Sequence, residues 1–256
     1  MEIFLVIFFF ILGASWGSFL NVVIDRLPQG RSLIRPQSSC SFCHRKLAPR
    51  DMVPVLSFLW LRGRCRYCGT PITWRVFWVE LVTGTVFALA CWYYGLSAGL
   101  GVFLFVFSLF LVIFVIDLEY QLVLDKVVYP ASAVAIILAV FLPGLEFVPD
   151  IKSAAIGGGL ALGVFLVIVL ASRGGMGWGD VKLAALIGLL TGFPYVLVAI
   201  FLAVFTGGIA AAVLLLTRSK GRRDAVPFGP FLSAAALVTV IWGPQMLNWY
   251  LGIFAI

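Results

Sequence analysis

The chain of 256 residues is 62% hydrophobic and only 11% charged, where a soluble domain carries about 25% charged residues. That balance excludes an ordinary soluble enzyme and fits a polytopic membrane protein. The net charge of +7 would suggest nucleic acid in a soluble chain; here it reads as the positive-inside bias of membrane proteins, and no nucleic-acid partner is expected. In chain order, apolar segments predict spans near residues 3–24, 76–96, 98–116, 127–145 and 153–171. The first is read as a retained span rather than a cleaved signal. Residue 2 is Glu, not a basic residue, and the apolar run passes through GASWGS into FLNVVI. The next stretch, 181–217, would form a helix of about 55 Å, far beyond a hydrocarbon core of about 30 Å. It is split at TGFPY, 191–195, and a last span starts near Phe228, with Gly243-Pro244 interrupting its apolar run.

The charges support that count of eight. Ten of the eighteen basic residues lie in the segment 26–75: Arg26, Arg31, Arg35, Arg45, Lys46, Arg50, Arg62, Arg64, Arg66 and Arg75. If this loop is cytoplasmic, eight spans bring Lys126, Arg173, Lys182, Arg218, Lys220, Arg222 and Arg223 to the same side. Only Lys152 is left outside. Trp92, Tyr93 and Tyr94 close the second span where an interfacial aromatic belt belongs. The expected division is a first helix (1–25), a cytoplasmic loop (26–75) and a helix bundle (76–256).

Within the loop, Cys40-Ser41-Phe42-Cys43-His44 matches the C-x-x-C-H of haem attachment. Haem is attached that way outside the cytoplasm, however, and the second pair, Cys65-Arg66-Tyr67-Cys68, has no following His. Two C-x-x-C pairs in a reducing compartment favour a metal over disulfides. Four thiolates complete a closed tetrahedral zinc site with no open position, so the zinc expected on Cys40, Cys43, Cys65 and Cys68 is structural. His44 is a neighbour, not a ligand. Cys91 is a small buried apolar residue of span two. The fold class is therefore all-α and polytopic, with about eight transmembrane helices and one cytoplasmic zinc-binding loop.

Two ionisable residues sit at span ends. Asp117 closes LFLVIFVID, and Asp180 follows GGMGWG. Each alone is as well explained by a helix cap or a nearby Lys. As a pair at the same depth they suit a carboxylate dyad that holds and activates water. Glu119 and Asp125 lie in the same turn, and either could replace Asp117. The glycines near Asp180 fit neither a dinucleotide fingerprint nor a P-loop; they suit a tight bend and close approach of a substrate strand. Asp117 is expected to be the protonated acid, because it ends an apolar helix. Asp180 is expected to be the base at a helix start, with Lys182 assisting.

At these residues the chain resembles the type IV prepilin peptidases of the GxGD membrane aspartic protease group. The resemblance rests on GSFLNVVIDRLP (17–28), the cysteine pairs with DMVPVLSFLWLRGRCRYC, MGWGDVKLAALIGLLTG (176–192) and PFGPFL (227–232). It identifies Gly177 and Gly179 as the motif glycines and Asp117 and Asp180 as the catalytic pair. The chain departs from the family in reading Val123-Leu124-Asp125 for Leu-Pro-Asp, and Val76-Phe77 for Tyr-Pro after Arg75. The resemblance implies a multi-pass protein of the bacterial inner membrane with its active site facing the cytoplasm. The implied activity is removal of basic leaders from type IV prepilins and pseudopilins, the substrates of pilus assembly and type II secretion. It also implies N-methylation of the new terminus with S-adenosylmethionine as donor. Because the cytoplasmic face is itself basic, leader recognition is expected to rest on local acids, Glu80, Glu119 and Asp125. Two other classes compete: a proton-coupled transporter with a zinc regulatory loop, and a thiol oxidoreductase using the C-x-x-C pairs.

Overall fold

The computed structural model describes residues 2–34, 38–172, 176–217 and 227–254. The basic residues Arg35, Arg173, Arg218, Lys220, Arg222 and Arg223, which entered the topology expectation, lie outside these. The described residues form α1 (Glu2–Arg26), α2 (Leu56–Trp60), α3 (Trp74–Tyr94), α4 (Ala98–Tyr120), α5 (Asp125–Phe141), α6 (Ile151–Ala171), α7 (Trp178–Thr191), α8 (Tyr195–Leu216) and α9 (Gly229–Phe254). No strand occurs among them, only two isolated antiparallel bridges. Six helices are long and apolar enough to cross a membrane: α1, α3, α4, α6, α8 and α9. With α5 and α7, of 17 and 14 residues, the long helices come to the expected eight.

The ends of these helices have local causes. The apolar stretch 181–217 breaks where Gly192 takes φ +68° and the Phe193–Pro194 bond is cis. Asp150 caps α6 by accepting from the N–H groups of Lys152 and Ser153 at 3.0 and 3.3 Å. Helix α4 runs past the expected end at 116, so Asp117 lies within its last turns. Pro244 falls inside α9, which continues through the Gly243-Pro244 interruption, as membrane helices allow.

The chain divides into two compact units, residues 1–108 and 109–256. This division follows packing and differs from one drawn at the polar loop's ends. In the first unit, α1 packs along α3. A Cβ on Gly13 or Gly17 would meet α3 at 2.6–2.9 Å, near Phe87 and Glu80, so the G-x3-G spacing lets the backbones approach. In the second unit, α6 packs on α7 and α8 on α9. Gly157 and Gly188 bring α6 and α7 into backbone contact, where a Cβ on either would strike the other's carbonyl.

Candidate active site

The four cysteines of the loop come together, with all their Sγ atoms within 4.8 Å of one another. They are held by two turns of the same design, offset by 25 residues. In the first, Cys40 N–H donates to Arg45 O, His44 N–H to Cys40 O and Leu47 N–H to Ser38 O. In the second, Cys65 N–H donates to Thr70 O, Gly69 N–H to Cys65 O and Ile72 N–H to Gly63 O. The bridges Ser39 to Lys46 and Arg64 to Pro71 repeat with the same offset. His44 (φ +55°) occupies the place of Gly69 (φ +73°). It is a left-handed turn residue outside the sulfur cluster, which disposes of the haem pattern.

The donor set fits a tetrahedral metal. Zn–S bonds of about 2.3 Å place ligand sulfurs about 3.8 Å apart, and the Cys40 and Cys68 sulfurs are 3.8 Å apart. The Thr70 hydroxyl and backbone, with the neighbouring thiols, push the Cys68 thiol down to about 6. The backbone N–H groups of Cys43 and Phe42 also hold Cys40 below its ordinary value. At these two positions the thiolate that a metal needs is favoured, whereas Cys43 is pushed up to about 11, the lowering by the Arg45 backbone being outweighed by burial and by the neighbouring Cys68 and Cys40. Asp51 braces the second turn: Arg66 Nε donates to it at 2.6 Å and the Tyr67 hydroxyl at 3.1 Å. This pairing holds the Asp51 carboxyl below its usual range. The loop also has a small aromatic anchor that sequence reasoning missed. Phe58, 5% exposed, packs on Trp74 and Phe77 of α3 with centroids 5.0 and 5.2 Å apart.

Glu80 belongs to this first unit. It is 5% exposed on α3, and its Oε2 accepts the Val55 N–H at 2.7 Å. Val55 itself has φ +63°, a costly conformation for a β-branched residue. The Glu80 bond thus ties the strained entry to α2 onto the spanning helix. Beside it, Arg75 donates to Asn21 Oδ1 at 3.2 Å and pairs with Asp25 at 2.5 Å.

In the second unit, Asp117 and Asp180 lie within electrostatic reach of each other. Asp117 is 5% exposed. The Gly229 N–H faces its carboxylate, yet Oδ2 makes no well-aligned hydrogen bond among the described residues. Gly229, the first residue of α9, leaves room at this spot: a Cβ there would lie 2.6 Å from Asp117 Oδ2, so the carboxylate would have to shift. Asp180 stands in the first turn of α7, and the N–H of Gly177, the cap residue, points back to its carboxylate. Gly179 admits Val123, whose Cβ would be 2.8 Å from a Cβ on that glycine. The segment between α4 and α5 thereby packs onto the turn that carries Asp180. Neither Gly229 nor Val123 was assigned a role from sequence; PFGPFL and the departure at 123–125 were the only signals.

The other acidic candidates are placed differently. Glu119 is exposed, two residues beyond Asp117 and so on another face of α4. Asp125 accepts from Lys182 Nζ at 2.7 Å, and that ammonium also lies 5.5 Å from the Tyr129 ring centre. The expected help from Lys182 to Asp180 is therefore not seen, because its partner is Asp125. Cys91 is buried, as expected.

Comparison with known proteins covers most of the chain. Residues 11–94 match the bacterial peptidase A24 N-terminal domain, and residues 102–212 match the type IV leader peptidase family. The chain is 32% identical over 245 residues to a prepilin leader peptidase/N-methyltransferase of Bacillus subtilis (strain 168), covering 94% of this chain and 96% of that protein. Proteins of the same name from Stutzerimonas stutzeri (32% identical, 94% of this chain and 92% of that protein) and Legionella pneumophila (30%, 92% and 91%) are similar over comparable lengths. The chain belongs to the type IV leader peptidase family. No solved structure matches it. In this family member the two compact units correspond closely to the two matched regions, with the sulfur cluster in the first and the paired aspartates in the second.

Proposed function

We propose that this chain is a membrane aspartic endopeptidase that removes the leader of type IV prepilins and pseudopilins at the cytoplasmic face of the bacterial inner membrane. The observation that carries the reading is a buried Asp117, whose Oδ2 has no well-aligned hydrogen bond among the described residues, within electrostatic reach of Asp180 in the first turn of α7. Asp180 takes a proton from water as it attacks the scissile carbonyl carbon. Asp117 gives its proton to the carbonyl oxygen, and the roles exchange when the leaving amine is protonated. A proton shared by two adjacent carboxylates belongs to the pair, and the helix N-terminus at Asp180 favours the ionised form on that member. Glu119 and Asp125 are the acids offered to a basic leader. Glu80 meets it only if the enclosure around Val55 opens.

The four-thiolate cluster holds zinc, which organises residues 26–75 and takes no direct part in cleavage. The same chain N-methylates the new terminus, with S-adenosylmethionine supplying an electrophilic methyl group when bound. That chemistry uses no carboxylate dyad. Family membership gives no support to a proton-coupled transporter, and the gathering of four sulfurs around one point opposes a redox role for separate pairs.

Incubation of the purified protein with a prepilin leader peptide, followed by mass spectrometry, tests both activities together. The expected products are the mature peptide and its form heavier by one methyl group. An intact peptide under conditions where a homologous enzyme cleaves it would reject the reading. Charge reversal of Glu119, Asp125 and Glu80 singly, over a range of salt, tests recognition; processing unchanged in all three would remove the acidic contacts.

A further inference from the structure

Helix α2 has only five residues, and its faces differ completely. Phe58 turns inward to Trp74 and Phe77, with its ring against Gly63. Leu56, Leu59 and Trp60 turn outward and are 65%, 55% and 84% exposed. Met52 and Val53, also exposed, lead into them. On α3, Trp74 and Trp78 are exposed four residues apart, one above the other on the same face. Exposed Arg50, Arg62 and Arg64 flank the patch. The sulfur cluster needs none of these apolar side chains, and the spanning helices account only for Trp74 and Trp78.

We propose that the outward face of α2, continuous with Trp74 and Trp78, is an in-plane membrane anchor that inserts among the headgroups and upper acyl chains of an anionic bilayer. Three features select lipid as the occupant. The patch adjoins a candidate spanning helix, because Phe58 docks α2 on the first turns of α3, against the exposed Trp74. Its composition is Trp and Leu, which suit the boundary between headgroups and hydrocarbon. Its flanks are basic, complementary to anionic headgroups. The anchor would hold the metal-binding turns against the membrane surface through α2, in addition to the covalent links at Arg26 and Trp74. This rests on the multi-pass membrane reading and is independent of the proteolytic one.

The test uses the full-length protein in nanodiscs of phosphatidylethanolamine and phosphatidylglycerol. A benzophenone amino acid replaces Leu56 or Trp60, one at a time, with Phe4 (exposed on α1) and Lys46 (exposed on the first cysteine turn) as reference positions. After irradiation, lipid adducts at 56 and 60 should match those at 4 and exceed those at 46 by at least about tenfold. Yields no higher than at 46 would overturn the proposal. So would adducts that shift to an added prepilin leader peptide, or that join two copies of the chain. As a second measurement, Leu59→Ser combined with Trp60→Ser should keep its bound metal, since both side chains are exposed. Tryptic cleavage after Arg62 and Arg64 in the same nanodiscs should then speed up by about tenfold or more. Unchanged cleavage with metal retained would also overturn it.

Discussion

The two units treat their polar groups in opposite ways. In the first, each cysteine turn repeats the same hydrogen bonds, Asp51 is braced from two sides, and Glu80 accepts a backbone N–H. In the second, Asp117 keeps an oxygen without a well-aligned partner among the described residues, and a glycine stands where any side chain would crowd it. Burying an unsatisfied carboxylate is costly, so such a site persists where reaction requires it. A closed thiolate set leaves nothing for a substrate to bind. On the proposed function, the contrast would separate a structural centre from a chemical one by the same physical criterion.

The largest effect should come from the chemical centre. Asp117→Asn or Asp180→Asn keeps shape but cannot cycle a proton, and either should lower leader cleavage by at least about a thousandfold. Methyl transfer measured on a precleaved peptide should persist. Wild-type cleavage by Asp117→Asn would abolish the contrast and move attention to Asp125. Next, Gly229→Ala would place a methyl group 2.6 Å from Asp117 Oδ2. Cleavage should fall by roughly tenfold to a hundredfold, as for a displacement of about an ångström in a reacting group, with unfolding temperature little changed. An active, wild-type-like alanine variant would show that the crowding at Asp117 is relieved cheaply.

The first unit should respond in stability rather than in chemistry. Cys40→Ser or Cys68→Ser should lose most of the bound metal and expose 26–75 to trypsin, while cleavage by intact molecules falls less than about tenfold. Loss of all metal without any gain in trypsin sensitivity would contradict a structural centre. The smallest effect should be Asp51→Asn. Because pairing lowers the folded-state pKa of Asp51, its contribution is complete above the ordinary carboxylate range and fades as pH falls through the lowered value. The variant should therefore be more trypsin-sensitive than wild type at neutral pH, and the gap should close in acid. A gap that widens on acidification would reverse the assigned sign.

Much of this was legible because it is written in local or periodic patterns. The break at 191–195 follows from a stretch too long for one span, and the sulfur cluster from two short spacings. The pairing of Asp117 with Asp180 was suggested by acids at the ends of apolar runs and by the family motif, and the two do lie within electrostatic reach of each other; their catalytic role is the proposal. What was not legible depends on partners distant in sequence. Gly229 meets Asp117 across more than a hundred residues, Val123 fills the space at Gly179, and Asp125 rather than Asp180 receives Lys182. The loop's own sequence does not mark Phe58 as its anchor, because the ring's partners lie on α3. His44 was legible as a neighbour rather than a ligand, but its left-handed turn role shows only beside the glycine at the matching place of the second turn.

The shortness of α7 sets how the chemistry obtains its water. Fourteen residues span about 21 Å, some 9 Å less than an average hydrocarbon core. No residue from 181 to 192 is exposed, so other helices rather than lipid surround α7, and its short length lets its first turn start below the level where longer neighbours end. On the proposed function, water would reach Asp180 from the side of the exposed Trp178, at the mouth of that recess.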